Sequence, residues 1–237
     1  MALHVVPAAA SSLLAGLLDF SAARRADLVE VARTRASVHY ETGHPDVPVL
    51  CVCLPSAIRL PNALIAGVLP TGRVTFARGA VVGGACAWRV RRWWAPPRPR
   101  GLTVPAAVSL PGIPVAGEIR PMDLVGAGPG LTPSGDDVLA GALVAAHATA
   151  DPRLASWQAA TRQAVRARGT TAVSRGLLRH ALDGWATTEV ADFVTGVCSG
   201  AVGDSADRLL AVGHSSGAAL ASGVLHVLTS APVEGAA

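Results

Sequence analysis

The sequence contains no lysine, so all 20 of its basic residues are arginine. Chemistry that needs a primary amine is therefore excluded: no Walker-type phosphate lysine, no Schiff base, no pyridoxal lysine. Charge is scarce in general. Only 15% of the 237 residues are charged, against 51% hydrophobic, which describes a folded chain rather than a disordered one. The net charge is a mild +4 and the arginines are dispersed, so nucleic acid is not an expected partner. Metal-spaced cysteine is missing as well. Cys51 and Cys53 of "VLCVCL" would share one face of a strand, and with Cys86 and Cys198 they read as buried, reduced thiols of a cytoplasmic protein. From Leu209 to Val233 there is no Asp, Glu, Lys or Arg. Even so, "GHSSG" sets polar groups and two glycines in the middle of that run, which argues against a membrane span. The start, "MALHVVPAAASSLLAGLLDF", lacks a basic segment and carries Pro7. It reads as a short lead-in and a first helix, not a signal peptide.

What is present changes character near the middle. Up to about residue 120, "ASVHY", "VPVLCVCL", "NALIAGVL", "RVTFARGAVVGG" and "ACAWRVRRWW" are short β-rich runs cut by Pro and Gly. "APPRPRG" and "VSLPGIPVAG" are Pro-rich connections that central strands exclude. After residue 132 the periodicity is helical. "DPRLASWQAATRQAVRARG", "TTAVSRGLLRHALDG", "TTEVADFVTGVCSG", "SADRLLAVG" and "SGAALASGVLHVL" each begin on a hydroxyl or Asp, and most stop on Gly. The expected class is α+β: a β-rich N-terminal half, residues 1–120, packed against a helical C-terminal half, residues 121–237.

The stretch "GAGPGLTPSGDDVLAG", residues 126–141, poses the chemical question. Glycine loops ahead of helices receive anions, and this one ends in two carboxylates. It is not the dinucleotide fingerprint, because Leu131 stands where that pattern's last glycine belongs. Ser134 is a candidate N-cap, with Asp137 three residues on as its capping-box partner. Asp136 has no such task. Either a divalent ion such as Mg²⁺ bridges the carboxylates to a ligand, or the ligand brings N–H donors, or one Asp is a base. A carbamoyl or amide group offers N–H to a carboxylate and C=O to a backbone N–H, which resolves the conflict.

Other motifs carry weaker signals. "GHSSG" matches the G-x-S-x-G nucleophile elbow at Ser215. A hydrolase acid and His should follow it, but after Ser215 come His226, no Asp, and Glu234 as the single Glu. A helix–helix corner capped by Ser215 or Ser216 is the plainer reading, and such a corner beside His214 can also wall a site. Thr170 or Thr171 starts a helix with Ser174 one turn on. Asn62, the one asparagine of the chain, stands in "RLPNALI" near Arg59. It is a turn residue or, with Arg59, a fork for a carboxylate. "RVRRWW" fits a strand with a solvated Arg face over buried Trp better than a single-strand nucleic-acid platform.

Together and in this order, "GAGPGLTPSGDDVLAG", "TTAVSRGLLRHA" and "GHSSGAALASG" resemble the AllH-type subunit family of oxamate carbamoyltransferase, with "RLPNALI" a looser likeness. Ala218 and Ala219 follow "GHSSG" where members often carry a Thr-Asp pair. The resemblance implies allantoin and purine-nitrogen catabolism, in which oxalurate and phosphate exchange with oxamate and carbamoyl phosphate within a multi-subunit enzyme. It implies functional positions at Gly130, Thr132, Ser134, Asp136 and Asp137, and at His214, Ser215 and Ser216. The expected function is carbamoyl transfer or phosphorolysis on a small carboxylate. Asp136 would orient or deprotonate the accepting nitrogen, loop N–H groups would hold the oxyanion, and Arg59, Asn62 and Thr171 would contact substrate. Whether this chain is itself the catalyst stays open. A non-catalytic ligand-binding subunit and a stand-alone amide-processing enzyme or cyclase are the competing classes. No cofactor is demanded. No Arg lies between Arg120 and Arg153, so other carbamoyltransferase subunits, a homo-oligomer or a cation would have to supply charge for carbamoyl phosphate.

Overall fold

The structure, a computed structural model, describes residues 3–23 and 26–230; Glu234 lies outside them. The chain divides into two compact units, residues 1–96 and 97–237.

The first unit is an eight-stranded closed barrel. Its strands are β1 (His4–Ser11), β2 (Ala26–Arg33), β3 (Ser37–Glu41), β4 (Val49–Cys53), β5 (Ala63–Ala66), β6 (Val74–Ala77), β7 (Ala80–Gly83) and β8 (Cys86–Trp94). Their order around the barrel is β1-β5-β4-β3-β2-β6-β7-β8. The β1/β8 and β4/β5 pairs are parallel and the rest antiparallel. Period-two alternation fills the interior with side chains, as a barrel of this size requires. Val38 and Tyr40 of β3, Leu50 and Val52 of β4, Phe76 of β6 and Trp88 of β8 belong to one buried cluster. Leu14, Leu17 and Leu18 join it from a 3-10 turn (Ser12–Leu14) and helix α1 (Ala15–Ala23). Cys51 and Cys53 do share the other face of β4, buried and reduced, in a separate cluster with Ala63.

Three strand readings are corrected. The lead-in is not an unstructured approach to a helix, because His4–Ser11 is β1. Pro7 is tolerated there since β5 pairs only with Ala8–Ala10, leaving the Pro7 edge without a β5 partner to serve. "ADLVEVAR" is β2, which no quoted run included. In "RVRRWW" the register between β1 and β8 shifts after Val90, making Arg91 the extra residue of a bulge. The alternation breaks there, and Trp93 ends 52% exposed instead of buried.

Asn62 is buried immediately before β5. Its side-chain amide donates to the Val49 carbonyl at 2.8 Å, and its own carbonyl accepts from the Cys51 N–H at 3.1 Å. Asn62→Ala strands the Val49 carbonyl and is expected to destabilise the barrel by about 1–2 kcal/mol. Faster amide exchange across β4 would register the loss; unchanged protection would contradict it.

The second unit is helical: α2 (Pro121–Leu124), α3 (Ser134–Thr149), α4 (Leu154–Arg168), α5 (Ala172–Ala181), α6 (Thr188–Ser199), α7 (Ser205–Leu210) and α8 (Ser216–Ser230). The start and stop signals hold at Thr171, Thr187, Gly169 and Gly200, each a helix cap. Helix α3 is apolar almost all round, and Leu139 to Ala146 are all buried, so it forms the centre of this unit. The Pro-rich stretch 97–120 forms neither helix nor strand. It is pinned by Leu102 N–H to the Ala148 carbonyl at 2.8 Å and Ala116 N–H to the Ser222 carbonyl at 3.2 Å. Among the described residues no helix is long and apolar enough to cross a membrane.

Candidate functional site

Loop 125–133 joins α2 to α3. Gly128 has φ +111, and a Cβ there would lie 2.8 Å from the Ser134 hydroxyl oxygen. The loop therefore folds back over the start of the helix, an approach only glycine permits. Ser134 is thereby the first helical residue, and Pro133 occupies the N-cap position with no side-chain cap. The Ser134–Asp137 capping box is not formed.

Asp137 is not the capping partner expected of it, and Asp136 is the one with structural contacts. Asp136 is wholly buried, and its carboxylate accepts from the Gly126 N–H at 3.0 Å and from the Thr170 hydroxyl at 2.5 Å. It staples the loop to the residues that lead into α5. Asp137 is 1% exposed, and its Oδ2 has no hydrogen-bond partner. Burial pushes its carboxyl up to about 7; the Ser216 and Thr132 hydroxyls pull it down, and the Asp136 charge pushes it up again. Asp137 is thus the carboxyl poised near neutrality.

Hydroxyls tie three helix starts to this point. The Thr132 and Ser216 hydroxyls lie 2.9 Å apart, joining the loop to the first residue of α8. The Thr171 hydroxyl donates to the Leu131 carbonyl at 2.6 Å and accepts from the Ser174 N–H at 3.0 Å, capping α5 while holding the loop. The N-termini of α3, α5 and α8 therefore converge on loop 125–133. Each brings a positive dipole end, and a convergence of this kind suits an anion or a polarised carbonyl.

Gly130 and Leu131 form the exposed tip of the loop, and His214 and Ser215 are exposed in the turn before α8. Ser216, not the elbow-like Ser215, is the serine that reaches Asp137. Arg59 and Asn62 belong to the barrel unit, where Arg59 is exposed and the Asn62 amide is committed to Val49. Thr170 was not singled out for the site, and its signal was the doubled Thr before α5. Asp136 and Asp137 do not present a shared pair of carboxylates to a cation, because both Asp136 oxygens face donors. Among the described residues no group of three or more His, Cys, Asp and Glu could hold a metal ion.

The raised Asp137 carboxyl gives a signed pH dependence. Between about pH 4 and about pH 7 the folded chain holds a proton that the unfolded chain has lost, so stability falls as pH rises. The slope approaches about 1.4 kcal/mol per pH unit at most. Asp137→Asn is expected to flatten it and to leave the variant more stable than the parent above pH 7. Denaturant midpoints across that range decide the matter, and parallel profiles would refute the assignment.

The family model described as oxamate carbamoyltransferase subunit AllH matches residues 124–228. The matched stretch contains the whole convergence of loop and helix starts, and the likeness drawn from the three motifs is borne out over it. No solved structure matches the chain.

Proposed function

We propose that the helical unit handles a carbamoyl group on a small carboxylate, as one subunit of an oxamate carbamoyltransferase. The observation that carries this reading is a buried carboxyl with an unpartnered oxygen at the meeting point of three helix N-termini. A carbamoyl group complements that arrangement: its N–H donates to Asp137, and its oxygen faces the backbone N–H groups of the loop. In the transfer direction the oxamate nitrogen attacks the carbamoyl carbon of carbamoyl phosphate. The C–O bond to phosphate breaks, and phosphate leaves with the proton the nitrogen sheds, while Asp137 orients that nitrogen. In the reverse direction hydrogen phosphate attacks the ureido carbon of oxalurate, the C–N bond breaks, and the phosphate's proton passes to the leaving nitrogen.

The loop is rich in hydroxyls and amides but has no arginine in its sequence. Charge for the phosphate therefore comes from partner subunits or a cation in this reading. The test is phosphate release from carbamoyl phosphate and oxamate by the chain alone, with Mg²⁺, and with its partner subunits. Activity should need the partners, and Asp137→Asn should lower kcat/KM by about 10²-fold. Full activity of the isolated chain in chelator would refute the subunit reading. Inactivity under every condition would favour a stand-alone enzyme acting on a different amide.

A further inference from the structure

A carboxylate oxygen buried without a donor is costly, and Asp137 Oδ2 is such an atom. Either a proton or a ligand N–H relieves it. The same oxygen sits where α3, α5 and α8 begin, helices of 16, 10 and 15 residues whose dipoles favour negative charge. A charged Asp137 would oppose the anion that those helix ends attract. We propose that the site takes a small oxyanion and a proton together: Asp137 Oδ2 carries the hydrogen it donates to the ligand's carboxylate or phosphate oxygen, and the Thr132 and Ser216 hydroxyls complete the contact. The glycine loop then ends in two carboxylates without contradiction. One is consumed as the staple to Gly126 and Thr170, and the other is neutral whenever the anion is bound. This inference rests on the reading above and names the charge state in which the site takes the carboxylate end of its substrate.

Burial and the Asp136 charge favour the uptake, and the Ser216 and Thr132 hydroxyls oppose it. Helix α3 contributes Asp136, whose charge disfavours a second one. The approach to α5 commits the Thr170 and Thr171 hydroxyls to Asp136 and to the Leu131 carbonyl, and Arg175 in that helix's first turn is a cation, which opposes uptake. Helix α8 contributes the Ser216 hydroxyl, with His214 exposed in the turn before it, and α2 contributes Asp123, also exposed. The Asp136 charge is the one that bears on Asp137.

The experiment is calorimetric titration of the full chain with oxamate, and separately with inorganic phosphate, in buffers of differing ionisation enthalpy. Above neutral pH the binding heat should depend on the buffer, reporting net proton uptake. The oxamate Kd should rise about tenfold per pH unit above about 7. Asp137→Asn should bind oxamate with no buffer dependence, and Ser216→Ala should bind more weakly while keeping it. A response to oxamate alone identifies a carboxylate site, and a response to phosphate alone a phosphoryl site; uptake that Asp137→Asn abolishes supports the proposal in either arm, and uptake that survives the substitution, as phosphate's own titration would, overturns it. Binding without uptake by the parent chain overturns it but leaves carbamoyl transfer standing. No binding of either probe also overturns it, and the partner-subunit assay then judges the functional reading separately.

Discussion

Asp136→Ala is expected to cost the helical unit about 3 kcal/mol or more, the largest loss of any single polar substitution around the loop. The carboxylate accepts from the Gly126 N–H and from the Thr170 hydroxyl, and alanine leaves both donors without their charged acceptor. Each such bond is worth about 1.5–3 kcal/mol. Asp136→Asn should cost less, since its amide oxygen can still accept from one donor. The two units need not unfold together, so a single melting curve is a poor readout. Amide exchange along α3 is the direct one: protection should collapse in Asp136→Ala and persist in Asp137→Asn at neutral pH. An Asp136→Ala protein with parental protection in α3 would remove the staple from the account.

That contrast marks where the sequence was legible. The caps at Thr171, Thr187, Gly169 and Gly200 are local, written within a few residues of the turn they end, and they read correctly. The class also read correctly as β-rich and then helical, though closure into a barrel did not follow from the strands. Closure depends on the β1/β8 parallel pair, which joins the two ends of that unit across most of its length. The aspartates misled because the local rule fitted well. Ser134 and Asp137 have capping-box spacing, but the contact that wins joins Asp136 to Thr170, 34 residues away. A partner that far along the chain leaves no periodic trace. The same holds for Ser216, which meets the loop through contact with Thr132, 84 residues earlier, while the motif pointed at Ser215. Thr132, Asp136, Asp137, Thr171 and Ser216 were legible as candidates, and which of them touch is set by tertiary contact.

Gly223→Ala is expected to be the most damaging conservative change in the protein. Helices α3 and α8 cross with almost no space between their backbones. A Cβ at Gly223 would lie 1.9 Å from the Val138 carbonyl oxygen, and one at Gly141 would lie 2.1 Å from that of Leu220. Both obstacles are backbone atoms inside buried helices, so no side-chain rotation relieves them. The helices must separate instead, which opens the core around Leu139, Leu143 and Val224 and draws Ser216 from Thr132. Overpacking of this kind costs about 3 kcal/mol or more where the backbone cannot yield. The same displacement uncouples the α8 start from the loop, so the oxamate binding proposed above should weaken with stability. Gly16→Ala is the matched control, because a Cβ there meets nothing within 4 Å, on a helix of the other unit. Alanine in a helix should leave that variant neutral or about 0.5–1 kcal/mol more stable. Urea unfolding of the two variants, followed by exchange in α3 and α8, separates the cases. If Gly223→Ala holds its α3 protection as Gly16→Ala does, the close crossing is not what sets Ser216 beside Asp137.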